Sequence, residues 1–211
     1  MSALELSIKY KTLLDLNGIN RPLRKQHFFT QADHESGLKA KTENLNYSVE
    51  GVLNTFNSKK SKRISQTQAY AYGRSANHPA NQEAIANIVY GGIWGRENLG
   101  NTEPGDGWKF RGRGIFQITG RSNYQQLTDW AKSKGLNADY VNNPDLLLNE
   151  ADSMIAAIWY WNKRGINNFA DQDNVLAVSK IINLGSATAD GTPNHLEERK
   201  AKLKYYKTIF K

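Results

Sequence analysis

Two glutamates eight positions apart, Glu35 and Glu43, are the residues with the most to offer chemically. Splitting a glycosidic bond takes two carboxyl groups in unlike surroundings, one protonated to donate to the leaving oxygen and one ionised to activate water. Glu35 follows Phe28, Phe29 and Ala32, apolar company that favours the neutral acid, whereas Glu43 follows Lys41 in a polar stretch that favours the anion. That asymmetry makes Glu35 the acid and Glu43 the base. Most glutamate pairs at such spacing are solvated surface charges, so the assignment needs support from the neighbouring sequence. Spacing also leaves the carboxyl separation open, because eight residues reach up to about 26 Å when extended. An inverting pair stands roughly 6.5–9.5 Å apart and a retaining pair about 5–5.5 Å.

Particular residues exclude other chemistries. His34-Glu35 opens a zincin-like motif, but Leu38 stands where the second histidine is required. Gly107 to Gly112 has the spacing of a phosphate loop, yet Arg113-Gly114 follows instead of Lys-Ser/Thr, and Gln117 replaces the third glycine of a dinucleotide fingerprint. Asp171, Asp173 and Asn174 resemble the start of a calcium loop, but Leu176 takes the place of its glycine, so the cluster reads as a helix cap. The absence of Cys removes disulfides, thiolate zinc sites and cysteine nucleophiles, and suits folding in a reducing cytosol.

The elements that must position the glutamates are mostly helical. Leu4, Ile8, Leu13 and Leu16 recur at near-helical spacing and Gly18 follows, which predicts a first amphipathic helix. A second begins near Pro22, carries Leu23, Phe28, Phe29 and Ala32, and stops at Gly37. From Lys39 to Asn81 the chain turns polar, with the basic run Lys59-Lys60-Ser61-Lys62-Arg63, and reads as a smaller, looser lobe. Glycine is dense from Gly91 to Gly120, and Ile115 to Thr119 reads as a strand or extended loop. Helices are predicted again over Ser122 to Lys134, Leu146 to Arg164 and Asn174 to Leu184. The last, Leu196 to Phe210, is basic, with Leu196, Leu203, Tyr206 and Phe210 on its apolar side. The fold class is mainly α with a small extended or β element.

A series of segments in order adds what the glutamates alone lack. Gln26 to Phe29 leads into Ala32-Asp33-His34-Glu35-Ser36-Gly37. Then come Glu43 to Ser48, Gly105-Asp106-Gly107-Trp108, Arg111 to Gly120, and Ile181-Ile182-Asn183. This resembles the catalytic domain of glycoside hydrolase family 19, and within it the single-domain phage endolysins, over nearly the whole chain. The resemblance implies a lysozyme-like, two-lobed helical fold over residues 1–211, with the polar lobe, roughly 44–92, inserted into the main lobe and a cleft between them. It makes Glu35 the general acid and Glu43 the general base of an inverting hydrolase, with Thr119 helping to hold the attacking water. Gln117 and Asn183 match positions lining the family's sugar cleft, Arg113 matches the arginine of its glycine-rich motif, and Arg199 matches a late arginine near the acid. Trp108 and Tyr124 complete the substrate-binding set. Leu184-Gly185 follows Asn183 where Gly-Gly is common, and the interval from Glu35 to Glu43 is one residue short.

Simpler readings stand beside these. Thr119 read alone is an ordinary β-branched strand residue, Trp159 and Trp161 belong in a core, and His34 is a supporting residue rather than a second catalyst. Trp94 and Trp108, among glycines, are placed to stack on sugar rings.

Composition narrows the partners. The chain has 211 residues, 39% of them hydrophobic, enough for a real core, and a net charge of +8 that attracts anions. Peptidoglycan carries peptides with free carboxylates and chitin is neutral, so the charge favours a bacterial-wall substrate. It also favours contact between Lys202, Lys204 and Lys207 of the last helix and anionic outer-membrane lipid. A nucleic-acid partner has only the charge behind it and is set aside, and a monomer needing no metal or organic cofactor is expected. The first eighteen residues contain Glu5 and Lys9 and lack a basic leader and a cleavage site, so they read as part of the mature fold. The resemblance then implies synthesis in a host cytoplasm and release through a holin-type pore to the periplasm and wall. The rivals are a chitinase of the same family and a non-catalytic basic wall- or nucleic-acid-binding module.

Overall fold

Proline and glycine set the limits of the helix that carries Glu35. Pro22 opens it, where a missing N–H costs nothing, and Gly37 closes it in the left-handed conformation, φ 66°. The structure, a computed structural model, describes residues 1–58 and 61–211; Lys59 and Lys60 of the basic run lie outside the described residues. Among the described residues the chain forms thirteen α-helices, one short 3-10 turn and one two-stranded antiparallel pair, the mainly α class that the periodicity predicts.

In chain order the first elements are α1 (Ala3–Lys9), α2 (Lys11–Leu16), α3 (Pro22–Ser36) and α4 (Val49–Phe56), then β1 (Asn57–Ser58) and β2 (Ser61–Lys62). There follow α5 (Gln66–Tyr72), α6 (Gln82–Val89), α7 (Gly92–Leu99), α8 (Asp106–Lys109) and α9 (Arg121–Ser133). The 3-10 turn Pro144–Leu148 precedes α10 (Glu150–Lys163), α11 (Asn167–Ala170), α12 (Val175–Leu184) and α13 (Leu196–Ile209). The chain divides into two compact units, Met1–Lys41 with Gly114–Phe116 and Leu147–Lys211, and Thr42–Arg113 with Gln117–Leu146.

In the first unit α3 is the central helix, packed by α1, α11, α12 and α13. Phe28 anchors its core: the ring meets Phe29, Phe116 and Trp161 edge-on at 5.2, 5.8 and 5.3 Å. Complete burial of such a ring contributes about 1.5–3 kcal/mol, so this one residue goes far toward fixing the helix that presents Glu35. Trp159 and Trp161 are buried, as their apolar setting predicts. Asn174 caps α12 by accepting from the Ala177 N–H, so the acidic cluster does end in a helix cap.

The second unit has its own core, in which Leu45, Val52 and Phe56 meet Ile64, Ile85 and Val89. Ser48, Ser65 and Asn81 cap α4, α5 and α6 through their side-chain oxygens, and Ser65 forms a reciprocal capping box with Gln68.

Two expectations are corrected. The first helix is broken at Tyr10 (φ −103°, ψ 21°), which resets the helical phase; Leu6 and Leu14 face inward, and Leu4, Ile8 and Leu16 are exposed. Ile115 to Thr119 forms no strand: residues 114–117 make a turn closed by paired backbone bonds between Arg113 and Ile118, with Gln117 at φ 50°. On α13, Lys202 pairs with Asp33 and Lys207 with Asp173, so both of these charges have partners within the fold. Among the described residues no helix is long and apolar enough to cross a membrane.

Candidate active site

The proposed acid sits at the end of α3 and is held by a residue far along the chain. Arg199 of α13 is 1% exposed, and its Nη2 lies 2.6 Å from Glu35 Oε1; the Glu35 side chain is 25% exposed. The guanidinium also donates to Gln31 Oε1 and, through Nε, to the Asn194 carbonyl at 3.1 Å. Gln31 in turn donates to Ser179 of α12 at 3.2 Å. Asn183 accepts from the Asn194 N–H at 2.8 Å, so it helps to form the segment on which Arg199 rests. The apolar shielding read from Phe28, Phe29 and Ala32 is therefore incomplete: those side chains turn into the core, and Glu35 meets a cation. The resemblance had paired Arg199 with the acid, and the structure brings the two together.

Two further groups surround this carboxyl. The His34 ring lies 5.7 Å from that of His195, and burial, aided by Arg199, pulls the His34 pKa below the usual histidine value. Burial raises the Tyr160 phenol, with Arg164 opposing and the negative charge of Glu35 adding to the rise. Sequence offered no signal for Tyr160, which lies in the apolar run of α10.

Glu43 is fixed within the second unit by the glycine-rich loop. Its backbone N–H donates to the Gly112 carbonyl at 2.8 Å, the Gly112 N–H returns to Oε2 at 3.1 Å, and the Tyr90 hydroxyl donates to Oε1 at 2.5 Å. Both carboxylate oxygens thus accept. Burial, and next the charge of Glu43, push the Tyr90 phenol far above its usual range, which keeps it a donor.

Gly112 is needed for close approach. A Cβ there would lie 2.9 Å from Gln117 Oε1 and 3.3 Å from Thr119 Oγ1, so both side chains close over the bare Cα. The Thr119 hydroxyl donates to the Gln117 carbonyl at 3.0 Å, which commits its proton and leaves its lone pairs to accept from a water. Glu43, Gly112, Gln117 and Thr119 therefore form one cluster around the turn.

The remaining sequence candidates divide. Trp108 is partly exposed, carries the Arg111 guanidinium 3.7 Å over its ring, and lines a hollow of about 620 Å³ with His78, Asn81 and Gln82. Arg113 and Tyr124, read as substrate-binding, are buried instead. Arg113 pairs with Asp145 at 2.7 Å and donates to the Lys109 carbonyl at 2.8 Å; the Tyr124 hydroxyl donates to the Arg111 carbonyl at 3.0 Å. Burial pushes that phenol up to about 12 even though the Arg113 charge opposes it. These two residues brace the loop from behind, and neither presents a face to a sugar. Tyr90 is the chief residue that sequence reasoning missed, its only signal being an aromatic just before Gly91-Gly92.

No protein-family model matches the chain. It is 34% identical over 170 residues to a glycosyl hydrolase family 19 domain-containing protein of Haemophilus influenzae, covering 80% of this chain and 74% of that protein. A stretch of 53 residues, 25% of the chain, is 43% identical to an acidic endochitinase of Petunia hybrida and spans 19% of it. A stretch of the same length is 45% identical to chitinase 8 of rice and spans 18% of it.

Proposed function

The chain belongs to glycosyl hydrolase family 19, and from that premise we propose that it hydrolyses β-1,4 bonds between the amino sugars of peptidoglycan by an inverting mechanism. Glu43 takes a proton from a water, the water oxygen bonds to the anomeric carbon, the glycosidic C–O bond breaks, and Glu35 delivers its proton to the departing oxygen. The observation that carries this reading is the anchoring of Glu43: Gly112 and Tyr90 hold both oxygens, and Thr119 stands by in the same cluster to accept from the water. Arg199 then has a clear task, since its charge stabilises the carboxylate that Glu35 becomes as it gives up the proton.

The net charge of +8 supports a wall polymer bearing carboxylates over a neutral one. Chitin is the second reading, favoured by the stretches shared with the petunia acidic endochitinase and rice chitinase 8. We extend the proposal to an endolysin role in which the enzyme reaches the wall through a pore made by another protein.

The test is to incubate purified protein with bacterial sacculi and with chitin, and to identify the new reducing ends by mass spectrometry. Release from sacculi is expected, with initial products of inverted anomeric configuration by NMR. Glu35→Gln and Glu43→Gln should abolish it while leaving sacculus binding intact. Release from chitin alone would overturn the substrate, and robust turnover by Glu43→Gln would move the base elsewhere. For the endolysin role, cells expressing the protein should lyse when their inner membrane is permeabilised and survive when it is not.

A further inference from the structure

A second hollow in the same unit as Glu43 has a composition that the hydrolytic steps do not use. It measures about 470 Å³, within the range of small-ligand sites, and Lys62, Arg63, Gly92, Ile93, Trp94 and Glu97 line it. The Arg63 guanidinium lies over two rings, 5.1 Å from the centroid of Phe56 and 4.2 Å from that of Trp94. A planar cation held this way loses little freedom when an anion docks on it. Ile93 is 76% exposed and Trp94 39%, so apolar surface lies beside the charge. Lys62 and Arg63 outnumber the acidic Glu97, leaving the hollow positive.

We propose that this hollow binds a carboxylate-bearing peptide branching from the glycan, with Lys62 and Arg63 meeting the carboxylate and Ile93 and Trp94 covering the peptide's methyl groups. This deepens the peptidoglycan reading and rests on it. A neutral polysaccharide has nothing to place here, so the hollow is a specificity device that separates wall glycan from chitin. Two observations add support. Burial pulls the Arg63 pKa below the usual arginine value, so the cation is partly stripped of water and gains from an anion. The same guanidinium feels the charge of Glu43 and the phenol of Tyr90, so the hollow and the proposed base are electrostatically linked.

The test compares two substrates, intact sacculi and sacculi freed of peptide by an amidase. Lys62 is exposed, so its replacement leaves the fold intact. In Lys62→Glu the ratio of kcat/KM on intact sacculi to that on peptide-free glycan should fall about tenfold, the worth of one charge-assisted hydrogen bond, and Lys62→Arg should restore it. Soluble wall peptide, free of sugar, should shift the Trp94 indole N–H signal in NMR, and far less so in Lys62→Glu. An unchanged substrate ratio in Lys62→Glu, or an equal shift of the Trp94 signal by acetate or inorganic phosphate, would overturn the proposal. Wild-type protein that leaves sacculi uncut would instead sink the peptidoglycan reading, and the peptide titration distinguishes the two failures.

Discussion

Replacing Arg199 by Met keeps most of the side-chain volume and removes the charge with all three of its bonds, to Glu35, Gln31 and the Asn194 carbonyl. An ion pair fully out of water costs about 3–5 kcal/mol to break from one side, and one on the surface about 0–1 kcal/mol. This pair lies between: Arg199 is 1% exposed, but Glu35 is 25% exposed, so water recovers part of its loss. The buried Gln31 acceptor left behind adds about 1–3 kcal/mol. The pair contributes about 1–3 kcal/mol, so the expected cost is about 2–6 kcal/mol, which for a chain of this size lowers Tm by roughly 4–24 °C. Urea unfolding of Arg199→Met, Glu35→Gln and the double variant should give a coupling of at least about 1 kcal/mol, above the ~0.5 kcal/mol within which independent sites add. A cost under about 1 kcal/mol, or additive effects, would refute a charge pair that holds α13 to α3. Arg199→Lys keeps the charge but loses the fork, and should fall between wild type and Arg199→Met in both stability and kcat.

Three further outcomes are expected. Gly112→Ala drives a methyl against Gln117 and Thr119 and displaces the Glu43 cluster, so kcat should fall about a hundredfold with Tm little changed; near-normal turnover on sacculi would count against the cluster. Phe28→Ala opens a void at the centre of the first core and should cost about 3–5 kcal/mol in urea unfolding, and a cost under about 2 kcal/mol would mean that the core collapses around it. His27 has its pKa lowered from 6.5 chiefly by burial, with Asp173 opposing, so the unfolded chain takes up the proton first as pH falls. Its contribution is complete above about pH 6.5 and is lost below it, at up to about 1.4 kcal/mol per pH unit. The gap between urea midpoints at pH 7.5 and 5.5 should narrow in His27→Gln, with the lowered His34 keeping its own share, and an unchanged gap would place the acid loss elsewhere.

Helix limits were legible wherever a residue has only one comfortable backbone role. Pro22, Gly37, Asn174 and Gly185 each end or begin a helix at the place their chemistry requires. The N-terminal spacing misleads because an apolar pattern carries information only while the helix stays in phase. Tyr10 interrupts it, and a pattern summed across the break assigns Leu4, Ile8 and Leu16 to the wrong face. The stretch Ile115 to Thr119 is rich in β-branched and aromatic residues, yet Gly114 at φ 82° and Gln117 at φ 50° fold it into a turn before a second strand can pair with it.

The two glutamates differ in how their surroundings are encoded, and that difference has consequences for mutation. The Glu43 cluster draws Gly112, Gln117 and Thr119 from eight consecutive residues, so a local motif in the sequence reports it, although the Tyr90 bond, 47 residues away, does not show. Around Glu35 the partner is 164 residues distant on another helix, and composition near position 35 gives only the apolar half of its environment. Gly112, Gln117 and Thr119 face the Glu43 cluster rather than the core, whereas a long-range ion pair ties two helices of the first unit together. Substitutions at Gly112, Gln117 or Thr119 should therefore lower kcat with little loss of Tm, and substitutions at Gln31, Ser179 or Arg199 should lower both.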